Sequence, residues 1–340
     1  MATCPWNSNF NEFLTVLRCQ KPTRPVLFEL FFNAPYYNQM AGKVPADNSY
    51  FERLKVDIEA FHAFGFDYAT ARGCSMTFPI GKQKRLKTVS ANDGFVITDW
   101  KSFEAYNWPD PDSFDYSQLE KIAPFIPEGM KLMVMGPGGV LENAMALTGY
   151  DNLCYMLYDE PELAEAIFNE VGHRLVRYYE NSMGYDTVGV LMSNDDWGFN
   201  TQTFLSLKDM RRLVFPWHAK IVETAHKVGK PAILHSCGYL QYVMEDVIEV
   251  MKYDGRHSYE DIILPVEDCY RRWGGRIAIL GGMDMDFMVR KDLETIHRRA
   301  EAMLALAEEK GGSALGTGNS VPEYLPMEHY LAMAKAAWEK

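Results

Sequence analysis

The sequence predicts an α/β fold, a (β/α)₈ TIM barrel formed as a single domain over residues 1–340. About eight short apolar runs alternate with longer helical patterns, which is typical of βαβ units around a parallel sheet. Polar and ionisable residues gather where these runs end. The segment "NAPYYNQMAGK" after the first run is not the glycine-rich turn that an open doubly wound sheet carries there. A barrel of this length as one domain is common.

The apolar runs predict eight parallel strands, each followed in most cases by a helix. In chain order the runs are 25–32, 66–72, 130–136, 188–195, 232–240, 253–259, 276–284 and 313–318. Asp159 and Gly184 are expected to cap and to end one long helix, and Pro216 to kink or split the next. We expect an N-terminal extension over 1–24. Residues 73–114 are expected to elaborate the second strand–helix connection, with a hairpin around 82–100.

Composition excludes several partners and settings. The chain has 34 basic and 46 acidic residues, a net charge of −12, and no basic patch, which argues against nucleic acid. Its six scattered cysteines lack any CxxC pattern, which indicates free thiols in a reducing compartment. We see neither a signal peptide nor an apolar run long enough to cross a membrane. We therefore expect a cytoplasmic protein without a membrane partner.

Chemically useful side chains follow nearly every predicted strand. In a (β/α)₈ barrel the site lies at the carboxyl ends of the strands, so these side chains are the candidates for it. They are Glu29, Arg72, Cys74, Asn194, Asp195, Asp196, His235, Cys237, His257, Glu260, Asp261, Asp284 and Asn319.

His235 and Cys237 are the candidate metal ligands. Residues two apart on a strand face the same side, and a thiolate beside an imidazole suits Zn²⁺. The alternative is a buried thiol beside a hydrogen-bonded histidine, and the spacing alone does not separate the two. Glu29 lies inside an apolar run, so it needs a cation, a metal or a hydrogen-bond network as its partner.

Other polar residues have both functional and structural interpretations. Asp195 and Asp196 are adjacent, so at most one of them is expected to face the site and the other to cap the following helix. His257 is a candidate acid/base group or substrate donor, with a structural hydrogen bond as the alternative. Asp284 is a weaker candidate of the same kind. Trp197 is expected either to line an apolar pocket or to pack in the core.

Several segments together carry a family resemblance. The stretches "DDWGFNTQTF", "AILHSCG", "RIAILGGMDMDF" and "LGTGNSVPEYLPMEHYLAM" resemble the uroporphyrinogen decarboxylase superfamily over about residues 25–338, which implies a single (β/α)₈ barrel. One branch consists of cofactor-free decarboxylases of an acidic tetrapyrrole. The other consists of corrinoid-dependent methyltransferases. The decarboxylases have "RQAGR" near the first strand and "GHG" at the eighth, where this chain has "FELFFNAPYYNQ" and "GTG".

The chain therefore resembles the methyltransferase branch, with its methylcobalamin:coenzyme M methyltransferases and its O- and N-demethylating members. That branch holds zinc through an HxC motif after the fifth strand, which implies that His235 and Cys237 are ligands. Its coenzyme M enzymes take a third ligand, a cysteine, from the eighth strand, but "LGTGNSVP" has none. Because the eighth strand of a closed barrel lies beside the first, we expect Glu29 as the third ligand. The alternatives are Asp196, His257 and Cys74.

The resemblance implies a zinc-dependent methyltransferase. It would move a methyl group between a small O- or N-methyl substrate and a corrinoid cofactor carried on a partner protein. Asp196 and His257 are expected to orient the substrate or handle its proton. The expected substrate-binding residues are Asp195, Trp197, Asp284 and Asn319. A metal-free decarboxylase or lyase of a small acid and a non-catalytic ligand-binding barrel stay open. So do the methyl donor, the direction of transfer and the oligomeric state, for which a homodimer is one option.

Overall fold

Seven parallel strands form one continuous sheet in the computed structural model, which describes residues 4–82 and 92–340. Each strand pairs with the next one along the chain, so the order in the sheet is the order in the sequence. The strands are β1 (Tyr68–Arg72), β2 (Lys131–Met135), β3 (Val188–Asn194), β4 (Ala232–His235), β5 (Gly255–His257), β6 (Ala278–Leu280) and β7 (Ser313–Ala314). This curled parallel sheet with its helices confirms the predicted (β/α)₈ fold class.

The predicted first strand, residues 25–32, closes the barrel without forming a regular ladder. On one side it makes isolated parallel bridges, and the Phe28 N–H donates to the Leu315 carbonyl at 2.8 Å. On the other side the Tyr68 hydroxyl of β1 donates to the Glu29 carbonyl at 2.6 Å and accepts from the Glu29 N–H at 2.8 Å. The Tyr68 side chain thus forms the hydrogen bonds that the backbone of a neighbouring strand would otherwise form. The prediction of a continuous strand over residues 25–32 is therefore wrong.

The helices of the described residues surround the sheet. They are α1 (Phe10–Leu17), α2 (Ala34–Ala41), α3 (Tyr50–Ala63), α4 (Trp100–Ala105), α5 (Gln118–Lys121), α6 (Val140–Thr148), α7 (Tyr150–Asp159), α8 (Pro161–Met183), α9 (Leu207–Asp209), α10 (Phe215–His226), α11 (Val266–Trp273), α12 (Met285–Arg290), α13 (Leu293–Glu308) and α14 (Met327–Trp338). Short 3₁₀ turns cover Pro111–Ser113 and Ala123–Phe125, and π turns cover Met210–Val214 and Asp246–Val250. Among the helices on the outside, α8 packs against α10 and α13 against α14.

Two of the predicted helix boundaries are confirmed and one is wrong. Pro216 lies in the first turn of α10, directly after a π turn, so it splits the long helical segment as expected. Gly184 follows the last residue of α8. Asp159 does not cap that helix, because it is the last residue of α7 and Glu160 stands at the cap position before Pro161.

Helix α1 covers the amino end of the barrel. The ring of Phe10 lies 2.5 Å from where a Cβ would stand at Gly189 near the start of β3, and Leu17 lies 2.9 Å from the equivalent point at Gly255 of β5. No side chain fits between α1 and these strands, so both glycines are required for the close approach. With this end covered, the carboxyl end of the barrel is the face that offers a site.

The connection from β1 to β2 is long and contains α4, α5 and both 3₁₀ turns. The predicted hairpin around 82–100 falls largely on residues 83–91, which lie outside the described part of the chain. The single domain over 1–340, the extension 1–24 and the elaboration over 73–114 stay predictions. All six cysteines are free. Among residues 4–82 and 92–340, no helix is both long and apolar enough to cross a membrane.

Candidate metal centre

Three side chains meet beyond the ends of β3 and β4. Among the described residues, Asp196, His235 and Cys237 could hold a metal ion, because their ligand atoms all lie within 4.8 Å of one another. We refer to these three residues as the metal-binding group. β3 ends at Asn194 and β4 at His235, so these residues occupy the carboxyl ends of neighbouring strands. The Cys237 N–H donates to Asp196 Oδ1 at 2.8 Å, which ties the two chain segments together.

The spacing within this group suits a tetrahedral ion. Cys237 Sγ lies 3.8 Å from His235 Nε2, and that nitrogen lies 3.9 Å from Asp196 Oδ1. Ligand atoms around tetrahedral Zn²⁺ are roughly 3.4 to 3.6 Å apart, given metal–ligand bonds of about 2.0 to 2.3 Å. Small side-chain adjustments would therefore close the group on an ion. One sulfur, one nitrogen and one oxygen donor form a set that zinc accepts.

A chain of hydrogen bonds orients the His235 ring. His257 Nε2 lies 3.0 Å from the Thr317 carbonyl, which can only accept, so His257 carries its hydrogen on that nitrogen. His257 Nδ1 is then an acceptor, and it lies 2.8 Å from His235 Nδ1, which must donate. His235 Nε2 is left as a bare lone pair facing Cys237 and Asp196. This is the tautomer that a metal-binding imidazole needs.

Electrostatics keep both histidines neutral and the thiol protonated. Burial, with the nearby Arg256 charge, lowers the pKa of His235 to about 3, and burial lowers that of His257 as well. Burial and the Asp196 carboxylate raise the pKa of Cys237 to about 12. A metal bound here would therefore displace one proton, from the thiol.

Polar side chains from two further elements surround the thiol. Ser258 Oγ, just past β5, lies 3.5 Å from Cys237 Sγ. The Asn319 amide, beyond β7, donates to the same sulfur at 3.4 Å. Hydrogen bonds to a sulfur stabilise its anionic form, so both residues favour the ligand state of Cys237.

Glu29 lies apart from the metal-binding group and is hydrogen-bonded to Thr317. The Thr317 N–H donates to Glu29 Oε1 at 2.9 Å, and the Thr317 hydroxyl meets Glu29 Oε2. That hydroxyl also lies 2.5 Å from the Asn319 carbonyl. A hydroxyl has one proton to donate and the carbonyl can only accept, so we assign the proton of the other bond to Glu29. Burial also raises the pKa of Glu29 to about 8, in agreement with a protonated carboxyl group.

The geometry therefore brings Asp196, one of the sequence alternatives, to the position expected of Glu29. Thr317 engages both oxygens of the Glu29 carboxyl group, and the protonated form is a poor metal ligand. Neither Cys74 nor His257 belongs to the group of ligand atoms found among the described residues. His257 acts on that group indirectly, through the His235 ring.

Asp195 points away from the metal-binding group and anchors a helix. Its carboxylate is fully buried and accepts the Leu141 and Glu142 N–H groups at 3.0 and 2.9 Å, at the start of α6. His218 Nε2 lies 2.8 Å from Asp195 Oδ2, and His218 Nδ1 lies 2.7 Å from the Tyr253 hydroxyl. One carboxylate of the adjacent pair faces the site, as strand alternation predicts, but the other caps α6, which precedes β3 in the chain, and not the helix that follows.

Trp197 and Asp284, two further expected substrate-binding residues, have structural contacts. Trp197 is fully buried, with its ring centroid 5.1 Å from that of Phe215 and 4.9 Å from that of His218. Asp284 caps α12 by accepting the Phe287 N–H at 2.9 Å. Trp197 thus packs in the core, whereas Asp284 also borders the cleft described next.

A wide cleft opens at the ends of β5, β6 and β7. Its volume is about 1850 Å³, and its walls include Tyr259, Asp284 and Asn319. Asn319 lies between this cleft and the Cys237 sulfur, so it joins the open space to the metal-binding group. Asp284 and Asn319, two of the expected substrate-binding residues, therefore both border this open space.

The sequence patterns did not identify three residues that lie near the metal-binding group, namely Ser258, Thr317 and Glu142. Ser258 follows a candidate histidine directly, and Thr317 lies in the "LGTGNS" segment that lacks the expected cysteine. Glu142 lies in the first turn of α6, and its carboxylate accepts the Gly139 N–H at 3.0 Å. Burial and the carboxylates of Asp195 and Asp196 raise the pKa of Glu142 to about 8. The bond from the Gly139 N–H to Glu142 is one half of a capping box, and a glutamate at this spacing indicates a helix start and not a site.

Comparisons with known proteins agree with this fold. The family model described as Uroporphyrinogen decarboxylase (URO-D) matches residues 98–339. Curated relatives include uroporphyrinogen decarboxylases from Anaeromyxobacter sp. (strain Fw109-5), 25% identical over 198 residues, and Anaeromyxobacter dehalogenans (strain 2CP-C), 24% identical over 191 residues. The matches cover 56% and 55% of this chain but 53% and 51% of the relatives, so the chain spans about half the length of the curated relatives it matches.

A solved structure extends the comparison to almost the whole chain. A methyltransferase from Methanosarcina mazei superposes with a TM-score of 0.74, over 96% of this chain and 97% of that chain. The two sequences are 15% identical. At this identity the likeness shows a shared fold.

Proposed function

The chain belongs to the uroporphyrinogen decarboxylase (URO-D) family, and from this membership we propose that it is a zinc-dependent methyltransferase. It would move a methyl group between a small O- or N-methyl substrate and a corrinoid cofactor carried on a partner protein. The observation that carries the proposal is the group formed by Asp196, His235 and Cys237 at the carboxyl ends of two neighbouring strands. The fold shared with a protein named as a methyltransferase supports it.

The surroundings of the site disfavour an acidic tetrapyrrole as substrate. Glu29 stands where the decarboxylases of the resemblance have arginines, and it is bonded to Thr317. Asp196 adds a carboxylate within the metal-binding group, and Glu142 adds a carboxyl group near it. The segment "FELFFNAPYYNQ" has no arginine to pair with substrate carboxylates, and the Asp196 carboxylate would repel them, so this surface suits a substrate without several acidic arms.

The chain's own residues would bind and tune the ion. When bound, Zn²⁺ would supply a Lewis acid that polarises the oxygen or nitrogen from which the methyl group departs. His235 presents an unprotonated nitrogen, Cys237 gives up its thiol proton, and Asp196 offers a half-exposed carboxylate. A carboxylate in place of a second thiolate leaves such a centre more electron-poor, which suits activation of a leaving group.

The substrate and the partner protein would reach the site from the same side. Asn319 lies between the cleft and the Cys237 sulfur, so a small substrate in the cleft would meet this amide. We propose that the corrinoid protein docks over the same carboxyl ends of the strands. The six free thiols support a reducing, cytoplasmic setting.

Metal analysis and a transfer assay test the proposal together. Protein purified without chelator is expected to hold about one zinc ion per chain, and His235→Ala and Cys237→Ala to lose it. Glu29→Gln is the matched control and is expected to keep the ion. Conversion of cob(I)alamin to methylcobalamin, followed by visible absorbance with methoxyaromatics and methylamines, measures the transfer.

Two results would overturn the proposal. If the wild type stays metal-free after zinc supplementation, the zinc centre is wrong. If it holds zinc but transfers no methyl group from any donor of either class, the non-catalytic barrel replaces the enzyme.

A further inference from the structure

Among the residues that the structure describes, Arg256 is a buried cation without an anionic partner. It lies on β5 and is 6% exposed. The next residue, His257, faces the barrel interior beside His235, so Arg256 points to the outer side of the sheet. Across residues 4–82 and 92–340 no carboxylate forms an ion pair with Arg256, and its Nε has no hydrogen-bond partner.

Its nearest side chains do not neutralise it. The guanidinium carbon lies 4.5 Å from the ring centroid of Tyr259, which makes a cation–π contact but supplies no negative charge. The thiol of Cys269 is close, but burial raises its pKa to about 11, so it is uncharged at neutral pH. Burying an unpaired ion carries a large desolvation cost. The cation–π contact offsets only part of that cost.

A pocket lies beside the guanidinium. It is bounded by the segments after β4 and β5 and by α11, and it is partly open to solvent. Its lining includes the polar side chains of Gln241 and Ser258 and the ring of Trp273, as well as Arg256 itself. Ser258 also contacts the Cys237 sulfur, so this pocket borders the metal-binding group from outside the barrel wall.

We propose that this pocket is a second binding site, for a small anion whose phosphate or carboxylate group pairs with the Arg256 guanidinium. A planar guanidinium forms paired, charge-assisted hydrogen bonds with either group. Arg256 is not one of the proposed zinc ligands, so anion binding here and methyl transfer are measured independently of each other. Glu260 also lines the pocket and opposes an anion, which provides a test of opposite sign.

Calorimetric titration with inorganic phosphate and, separately, with acetate tests the site and distinguishes the two anions. We expect saturable binding of one of them by the wild type. Arg256→Met is expected to weaken it roughly tenfold to hundredfold, because it removes a charge-assisted hydrogen-bond donor. Glu260→Gln is expected to tighten it. Arg276→Met, at an exposed arginine paired with Glu245 and Glu249, is the matched control and should bind as the wild type does.

Unfolding midpoints and zinc contents complete the test. Without the anion, Arg256→Met is expected to unfold at or above the wild-type midpoint, because it removes an unpaired buried charge. Its zinc content should equal that of the wild type. The proposal is overturned if neither anion binds saturably, or if Arg256→Met binds as tightly as the wild type. A midpoint several degrees lower in Arg256→Met would instead identify a structural cation, and it would equally overturn the proposal.

Discussion

At the residue scale, the state of His235 is set by residues that are not in the metal-binding group. The Thr317 carbonyl fixes the tautomer of His257, and His257 in turn fixes that of His235. The result is a lone pair on the one nitrogen that faces Cys237. A ligand prepared in this way does not have to reorganise when the ion arrives, which favours tight binding.

The first prediction concerns this chain of bonds. His257→Phe keeps a ring of similar size but removes the acceptor of the His235 Nδ1–H, so zinc affinity should fall roughly tenfold to hundredfold. Competition with a colorimetric zinc chelator measures it. His226→Phe, at a surface histidine bonded to Asp254, is the control and should leave the affinity unchanged. Equal affinities in the two variants would show that His257 does not position the ligand.

The second prediction concerns Glu29 and pH. Its folded-state pKa of about 8 lies above the ordinary 4.5, so the folded chain binds the extra proton between these values. The stability from this group is complete below the unfolded pKa and is lost as the pH rises through about 8. Glu29→Gln can form the same hydrogen bonds and does not ionise. Relative to this variant, the wild type should lose a few kcal/mol of unfolding free energy between about pH 5 and pH 9.

Urea unfolding at a series of pH values measures this difference. Glu59→Gln, at an exposed carboxylate near Lys43, is the control and should follow the wild-type profile. If Glu29→Gln also follows that profile, the carboxyl group titrates normally and the hydrogen-bond assignment is wrong.

The sequence predicts part of this site and misses part for a definite reason. The spacing of His235 and Cys237 and their place after a strand are local properties, and strand periodicity places them correctly at the carboxyl end. The third position depends on which residue Thr317 binds, and that contact joins segments 288 residues apart in the chain. Periodicity places Glu29 beside the eighth strand, but it carries no information about the partner that engages it.

At the element scale, β3 and α6 are joined through one carboxylate. Asp195 lies just past β3 and accepts two N–H groups from the first turn of α6, whose positive dipole end favours a negative charge. Gly139 precedes α6, and a Cβ there would stand 2.1 Å from the Asp195 carboxylate. The glycine-rich turn in "GPGGVLENAM" therefore allows the close approach between β3 and α6.

The third prediction follows from that anchor. Asp195→Ala leaves two buried N–H groups and the His218 ring without their partner, so the unfolding free energy should fall by about 3 to 5 kcal/mol. Asp99→Ala removes an exposed helix cap on α4 and should cost about 1 kcal/mol. Denaturant unfolding compares the two. Similar losses would mean that Asp195 acts as an ordinary cap.

The strand boundaries show what apolar patterning resolves. The runs over 232–240 and 276–284 contain β4 and β6, but both strands end early, at His235 and Leu280. Glycines with positive φ lie just beyond, at Gly238 (98°) and at Gly281 (68°), and the left-handed conformation ends an extended strand. The apolar residues that follow are buried without being strands, so hydrophobicity alone overestimates the length of each strand.

At the scale of the whole molecule, the barrel closes through a seam that differs from its other contacts. From β1 to β7 each neighbour is joined by a backbone ladder. At residues 25–32, the hydroxyl of Tyr68 takes the place of a ladder on one side, through two bonds to the Glu29 backbone. The alternation of strands and helices predicts the closed topology, but it cannot distinguish a ladder from a side chain that replaces one.

The last prediction tests whether the seam is the weakest closure. Tyr68→Phe removes one hydroxyl and leaves a buried N–H and a buried carbonyl unpaired, which should cost about 2 to 3 kcal/mol. Because local opening needs fewer broken bonds there, amides of residues 28–32 should exchange with deuterium faster than those of β3. Tyr179→Phe is the matched control. It removes a buried hydrogen bond from the Tyr179 hydroxyl to the carbonyl of Met192, a residue of the laddered strand β3. If exchange at 28–32 rises equally in both variants, the barrel opens as one unit and Tyr68 has no special part in its closure.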